Sequence, residues 1–369
     1  MRRVALATLA HDRLRTTTLV VGLATVWALV AVQHGLRRGF ERSARAVVDR
    51  IGGDLWVSAH GVRVVDDGEP IEAPPDVACA RAVRPVIVDY TQVRTPDGAL
   101  VTAQIIGVDG ASRSSVPWSI VKGEANTLES RSKVGIDAAD ATKLGLASAE
   151  RGQTVILRTG AKLEVATISN GARNFTQTPY LFMDVATARE ILALPPAAAT
   201  FWAIDLERGA CASDVTKALA APTRDVRERD VLARSTTSHW IDGSGIGALL
   251  TAGSVMAAVV GAAVLLGSAM TIVRTHTREL ATIRALGARR GELSSFVAWQ
   301  VGVVAALATV SALAIATILA RVLGEQGLLV IIDHETWLAG AGLAIVSTAA
   351  AALFGARVLG RIDPCSVLE

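Results

Sequence analysis

Cysteine is nearly absent. Only Cys79, Cys211 and Cys365 occur in 369 residues, too few for a disulfide framework and with no spacing suited to zinc. The six histidines (His11, His34, His60, His239, His276 and His334) lie far apart, with no i, i+4 pair. No metal site is therefore legible, and no cofactor is expected. A G-x-x-x-x-G-K-[S/T] loop is missing, so the chain has no phosphate cradle of its own. Aromatics make up 4% of the residues and no basic stripe interleaves with them, which leaves nucleic-acid binding without its usual footprint. No catalytic constellation is visible.

Long apolar runs are what the chain has. Hydrophobic residues reach 51%, yet 19% are charged, too many for a chain buried wholly in lipid. Four runs lack formal charge: Thr16 to Leu36 (21 residues), Gly243 to Val273 (31), Leu293 to Ala320 (28) and Thr336 to Ala356 (21). About 20 helical residues cross a bilayer core, so each is long enough to span it. As a helix the second run would be roughly 46 Å long, so it tilts or its first turns stand above the membrane as a stalk. Its small residues, among them Gly247, Gly253, Ala257 and Gly261, admit close approach of another helix, as a protein–protein face or as an ordinary alanine-rich span.

The first run has a basic leader and an Ala44-Arg45-Ala46 triplet downstream. It is too long for a signal-peptide core, and charges separate it from the triplet, so it reads as a membrane anchor. Val4, Leu6, Leu9 and Leu14 favour an interfacial helix ahead of it. Arg274, Arg278, Arg284, Arg289 and Arg290 crowd the loop after the second run, whereas Glu325, Asp333 and Glu335 mark the next loop. That asymmetry puts the arginine-rich loop and both termini in the cytoplasm. Arg37, Arg38, Arg42 and Arg45 conflict with this topology.

Residues 46–240 then form an extracytoplasmic domain. Strand-like runs are Asp54 to Val57, Val86 to Val93, Leu100 to Val108, Thr154 to Leu157, Leu163 to Ile168 and Phe201 to Leu206. Helix-like runs are Ala138 to Leu144, Val185 to Leu194 and Ala212 to Ala220. Pro96-Asp97-Gly98 and Asn170-Gly171 break strands as hairpins do. The expected architecture is a membrane protein with four transmembrane helices and a large α+β extracytoplasmic domain between helices 1 and 2. Its divisions are 1–45 (interfacial helix and first span), 46–240 (domain), 241–273 (second span, the stalk), 274–292 (cytoplasmic loop), 293–320 and 336–356 (third and fourth spans) and 357–369 (cytoplasmic tail).

The loop Arg274 to Glu292 is short, charged and helix-prone. A helix from Leu280 to Leu286 aligns Leu280, Ile283 and Leu286 on one stripe, with Arg278, Glu279 and Arg284 around it. Gly287 supplies a stop. Thr277, Arg278, Glu279, Arg284, Ala285, Leu286, Gly287 and Ala288 resemble the T-R-E-x-x-x-x-R-A-L-G-A signature of the MacB/FtsX family of ABC-transporter permeases. Lys143-Leu144-Gly145-Leu146 with Gly152-Gln153-Thr154-Val155 is similar to the family's small β-rich insert, and Thr178 to Phe182 to the strand after it. Arg361 to Pro364 resembles the family's ending. Asp54-Leu55-Trp56-Val57 is similar to the DevC-like exporter branch.

That resemblance implies a non-catalytic inner-membrane subunit, working as a homodimer on a separately encoded ATPase. Docking would use Arg278, Glu279, Leu280, Ile283, Arg284, Leu286 and Gly287. Export with a periplasmic adaptor is the leading role. An FtsX-like transducer that moves no substrate, or a lipoprotein-release permease, is the alternative. Cys79 and Cys211 fall outside under this topology and could pair in an oxidising compartment, or stay as two buried thiols. His34 and His239 fall near the outer boundary, where haem or metal binding competes with interfacial anchoring.

Overall fold

The computed structural model describes residues 2–74, 79–109, 118–207, 212–275, 282 and 288–360. In chain order the elements are α1 (Arg2–His11), α2 (Arg13–Ile51), β1 (Leu55–Ala59), β2 (Ile71–Glu72), β3 (Ala80–Arg94), β4 (Leu100–Val108), β5 (Ser119–Lys122), β6 (Lys133–Asp137), β7 (Thr154–Leu157), β8 (Lys162–Asn170), β9 (Tyr180–Met183), α3 (Val185–Leu192), β10 (Ala198–Ala199), β11 (Phe201–Leu206), α4 (Ala212–Leu219), β12 (Arg224–Glu228), α5 (Arg229–Ser238), α6 (Ile246–Thr275), α7 (Arg290–Glu325) and α8 (His334–Gly360). They fall into two units, one of residues 1–39 and 247–369, the other of residues 40–246.

The first unit is helical. Among the described residues three helices are long and apolar enough to cross a membrane: Arg13–Ile51, Ile246–Gly267 and Gly291–Glu325. The fourth uncharged run lies in α8, a helix of 27 residues. α2 outlasts its apolar run by 15 residues because nothing there breaks a helix. Arg45 and Asp49 even form an i, i+4 ion pair at 2.6 Å. It stops at Gly52 and Gly53, whose φ values of 76° and 93° lie where glycine alone is at ease. The core of this unit joins Leu23, Trp27 and Ala28 of α2, Leu265 of α6, and Phe296, Val297 and Val301 of α7. Ala5 is fully buried in the same cluster, so the short leading helix is packed rather than loose.

The second unit is α+β. Nine strands run in the order β12-β1-β11-β3-β4-β9-β6-β8-β5, and β7 joins the same sheet by pairing with β3 and β8. β4–β9 and β6–β8 are parallel. Alternate residues of β3 serve two cores: Ile87 goes to one face, with Leu55, Ile105, Val185 and Leu219. Val86 and Val88 go to the other, with Val47, Val48, Trp56, Phe182 and Leu232. Helices α3 and α4 thus cover one face, the end of α2 and α5 the other. Burial on both sides explains why these strands read as near-continuous hydrophobic runs. Trp56, 1% exposed, is the largest such filler, and its truncation to alanine costs about 3–5 kcal/mol.

Two local expectations are corrected. The helix expected from Ala138 to Leu144 is a three-residue 3-10 turn, Ala138–Asp140, followed by turns. Asp137 caps it by accepting from the Ala139 N–H at 3.1 Å, and Gly145 at φ 74° reverses the chain. Asn170-Gly171 ends β8 but makes no hairpin, because β6 lies between β8 and β9 in the sheet.

Candidate functional site

Arg278, Glu279, Leu280, Ile283, Arg284, Leu286 and Gly287, the residues expected to dock, lie outside the described residues, and the segments that flank them are described. α6 runs 30 residues up to Thr275, and α7 begins at Arg290 and runs 36. Glu292 ties down the start of α7, since its carboxylate accepts from the Arg289 N–H at 2.9 Å. A carboxylate there also suits the positive end of the helix. Ala288 is half-buried against the cluster of Leu293 and Phe296. The last residue of the signature is therefore held to the helical unit.

At the other end of this unit α2 and the chain after α7 are tied together. Arg38 bridges to Asp333 at 3.2 Å and to Glu335. The Ile331 N–H donates to Gly35 O at 3.0 Å. The Asp333 carboxyl is held below the usual carboxylate range, first by the Thr336 N–H, then by the Thr336 hydroxyl and, less, by Arg38. The small residues of α6 have found their use within the chain: a Cβ on Gly253 would lie 2.8 Å from Gln33 Nε2, and one on Gly261 would lie 3.2 Å from Trp27 Nε1. Those glycines let α2 side chains seat against α6.

The α+β unit carries a polar network that the sequence did not announce. Loop 171–179 presents Asn174 and Phe175. Asn174 Nδ2 donates to Gln104 Oε1 at 2.8 Å, and Gln104 Nε2 donates to Asp66 Oδ1 at 2.7 Å. Trp240 Nε1 donates to the second oxygen, Asp66 Oδ2, also at 2.7 Å. Burial pushes the Asp66 carboxyl up, against the lowering effect of both donors. Phe175 packs at tilted angles between Phe40 (centroids 6.0 Å apart) and Trp240 (4.8 Å). Trp240 sits in a single π turn, His239–Gly243, and Gly245 at φ 76° then resets the chain for α6. The first and last segments of the unit are thereby clamped on one loop. Asp137, fully buried, anchors the same loop by accepting from the Ala172 N–H at 2.8 Å and Arg173 Nη1 at 3.1 Å.

Trp240 is thus half-buried and bonded rather than a free interfacial anchor, and His239 meets it edge-on at 5.4 Å. His34 lines a cavity in the helical unit. Among the described residues no cluster of His, Cys, Asp and Glu could hold a metal ion. Cys79 is exposed, and Cys211 lies outside the described residues. What sequence reasoning missed are Asp66, Gln104 and Asn174. Polar residues spread over a hundred positions leave no local signal.

Residues 251–364 match the family model described as FtsX-like permease C-terminal. No curated protein is significantly similar to the chain. Among solved structures, the periplasmic region of MacB from Actinobacillus actinomycetemcomitans aligns at 11% identity and a TM-score of 0.37, covering 50% of this chain and 92% of that one. The extracellular domain of the noncanonic ABC-type transporter YknZ from Gram-positive bacteria aligns at 12% and 0.33, covering 43% and 98%. A domain of a putative permease protein from Porphyromonas gingivalis aligns at 11% and 0.33, covering 46% and 82%. Scores this low carry no inference. The family match is different in kind: it takes in most of α6, the arginine-rich loop, α7 and α8, so residues 251–364 are similar to an FtsX-like permease C-terminal domain.

Proposed function

We propose that this chain is the permease subunit of an ABC transporter, receiving force from a separate ATPase through loop 274–292 and passing it to the α+β domain. The observation that carries this is the setting of the loop. A mixed-charge segment with the signature from Thr277 to Ala288 joins helices of 30 and 36 residues, and the matched family segment, residues 251–364, takes in the loop, the second helix and most of the first. A loop that only reversed the chain would need neither an apolar stripe nor a placed glycine. Leu280, Ile283 and Leu286 would enter a groove on the ATPase, with Arg278, Glu279 and Arg284 setting register at its rim.

The chain hydrolyses nothing itself in this reading. Two copies, each on one ATPase, sit in the inner membrane with four spans and cytoplasmic termini. Export is the role favoured by an outer domain of about two hundred residues, with a periplasmic adaptor as the further partner. The DevC-like branch rests on Asp54 to Val57, which lead into and open β1. Co-purification of the ATPase with the wild-type chain and with loop variants tests the proposal, and loss of binding on disrupting the stripe is the expected result.

A further inference from the structure

The sheet of the α+β unit ends at β12, whose inner edge pairs with β1 and whose outer edge pairs with no strand among the described residues. Backbone groups alternate in direction along an antiparallel strand. The Arg229 N–H donates to Asp54 O and the His60 N–H to Thr223 O, each at 3.1 Å. In that register Asp225 and Arg227 turn their backbone groups to β1, so Arg224, Val226 and Glu228 turn theirs outward. Two of the outward groups are already engaged. The Arg224 N–H donates to Ala221 O at 3.1 Å, and the C=O of Glu228, the N-cap of α5, accepts the first bond of that helix. What remains is the Arg224 C=O, both groups of Val226 and the Glu228 N–H.

That remainder is complementary to itself. We propose that two copies of this chain join their sheets edge to edge through β12, pairing antiparallel about Val226. Each Val226 N–H then meets the other copy's Val226 C=O, and each Glu228 N–H meets the other copy's Arg224 C=O, which leaves no outward group over. The side chains match in the same register, because Arg-Asp-Val-Arg-Glu set against itself places every charge opposite its counter-charge. Arg224 falls opposite the partner's Glu228. Within one copy Arg224 Nε is buried without a hydrogen-bond partner, and the exposed Glu228 makes no side-chain cap. Asp225 falls opposite the partner's Arg227. These two already pair at 3.0 Å within one copy, and two such pairs side by side alternate in sign, so no existing bond has to break. A groove of about 610 Å³, walled by His60, Pro222, Arg224 and Val226, leaves room along this edge. A charged edge discourages strands of other sequence while admitting its own. This interface rests on the reading that two copies work together, and it names the surface on which they meet.

The test uses the full chain in nanodiscs, with all three cysteines replaced by serine and Val226→Cys introduced. Directly opposed residues stand about 4.5–5.5 Å apart at Cβ, so a short bifunctional thiol reagent should link two chains into a dimer band. Val121→Cys, exposed on β5 at the other edge of the sheet, should stay unlinked. Glu228→Arg added to Val226→Cys sets like charges opposite each other and should lose most of the dimer band. Exchanging the pair, Arg224→Glu with Glu228→Arg, should recover it. Mass photometry counts the chains in the same particles independently of the reagent. Two chains per particle with Val226→Cys unlinked, linkage indifferent to Glu228→Arg, or an exchange that fails to recover it overturns this interface and leaves the two-copy reading standing. One chain per particle overturns both.

Discussion

Arg38 Nη2 lies 3.2 Å from Asp333, which joins the end of the first apolar helix to the acidic segment between α7 and α8. The approach is close. A Cβ on Gly39 would stand 1.6 Å from Leu329 O, and one on Gly35 would stand 2.8 Å from Ile331 O. Among the arginines that oppose the proposed topology, Arg38 pairs locally with Asp333 and Arg45 with Asp49. Paired charges and a long translocated domain both weaken the positive-inside rule at that end.

The proposed topology is open to direct labelling. In a background with all three cysteines replaced by serine, Ala99→Cys in the β3–β4 turn should react with an impermeant thiol reagent on intact spheroplasts. Ala288→Cys should not. Labelling of Ala288→Cys alone would invert the model.

Gly39 sits against backbone, which cannot step aside as a flexible side chain can. Gly39→Val should lower stability in nanodiscs by about 1–3 kcal/mol through overpacking. Gly22, with nothing within 4 Å of an added Cβ, is the comparison: Gly22→Ala should be neutral or stabilising by up to about 1 kcal/mol. Similar melting shifts for the two variants would contradict the close approach.

How far the sequence reached depended on whether the signal was local. β4, β7 and β11 coincide residue for residue with the expected runs Leu100 to Val108, Thr154 to Leu157 and Phe201 to Leu206, because burial on one or both faces writes itself into consecutive residues. β12, Arg-Asp-Val-Arg-Glu, was not legible. It is an edge strand held by pairing with β1, and its alternating charges, half-buried in local pairs such as Arg227 with Asp225, give no apolar pattern. The helical extension of α2 past Leu36 was hidden for a related reason: charge ended the apolar run, while only Gly52 ends the helix. Of the site, the stripe expected from Leu280 to Leu286 rests on periodicity and family likeness, and it lies outside the described residues. The Asp66 network depends on pairings 38 and 174 positions apart, which no window contains.

Asp66 should make stability depend on pH. Its carboxyl is raised in the folded chain, so its contribution is fully present below the unfolded value and lost as pH rises through the folded one. Trp240→Phe removes one of the two donors that oppose this and raises the carboxyl further. The variant should be less stable than wild type by about 1–3 kcal/mol near neutrality. The gap should narrow on acidification, when the carboxyl is protonated in both. Thermal melts across pH check this, and a pH-independent gap would assign the loss to packing alone.

Cys79, exposed beside the start of β3, tests the compartment. Should it pair with Cys211 in an oxidising envelope, non-reducing peptide mapping shows one linked species that disappears on reduction. Two alkylatable thiols would settle the pair as free.

The central claim is that loop 274–292 grips the ATPase, and Leu286→Glu tests it most directly. A charge placed in an apolar contact should cost at least about 2 kcal/mol of docking, as loss of a central hot spot does. The position lies outside the spans, so insertion and folding should be unchanged. The measurement is the amount of ATPase that co-purifies with wild-type and variant chains at equal permease yield. The account predicts that Leu286→Glu loses the ATPase while a substitution at exposed Val259 keeps it. Retention of the ATPase by Leu286→Glu at the wild-type level would contradict the coupling role of this loop.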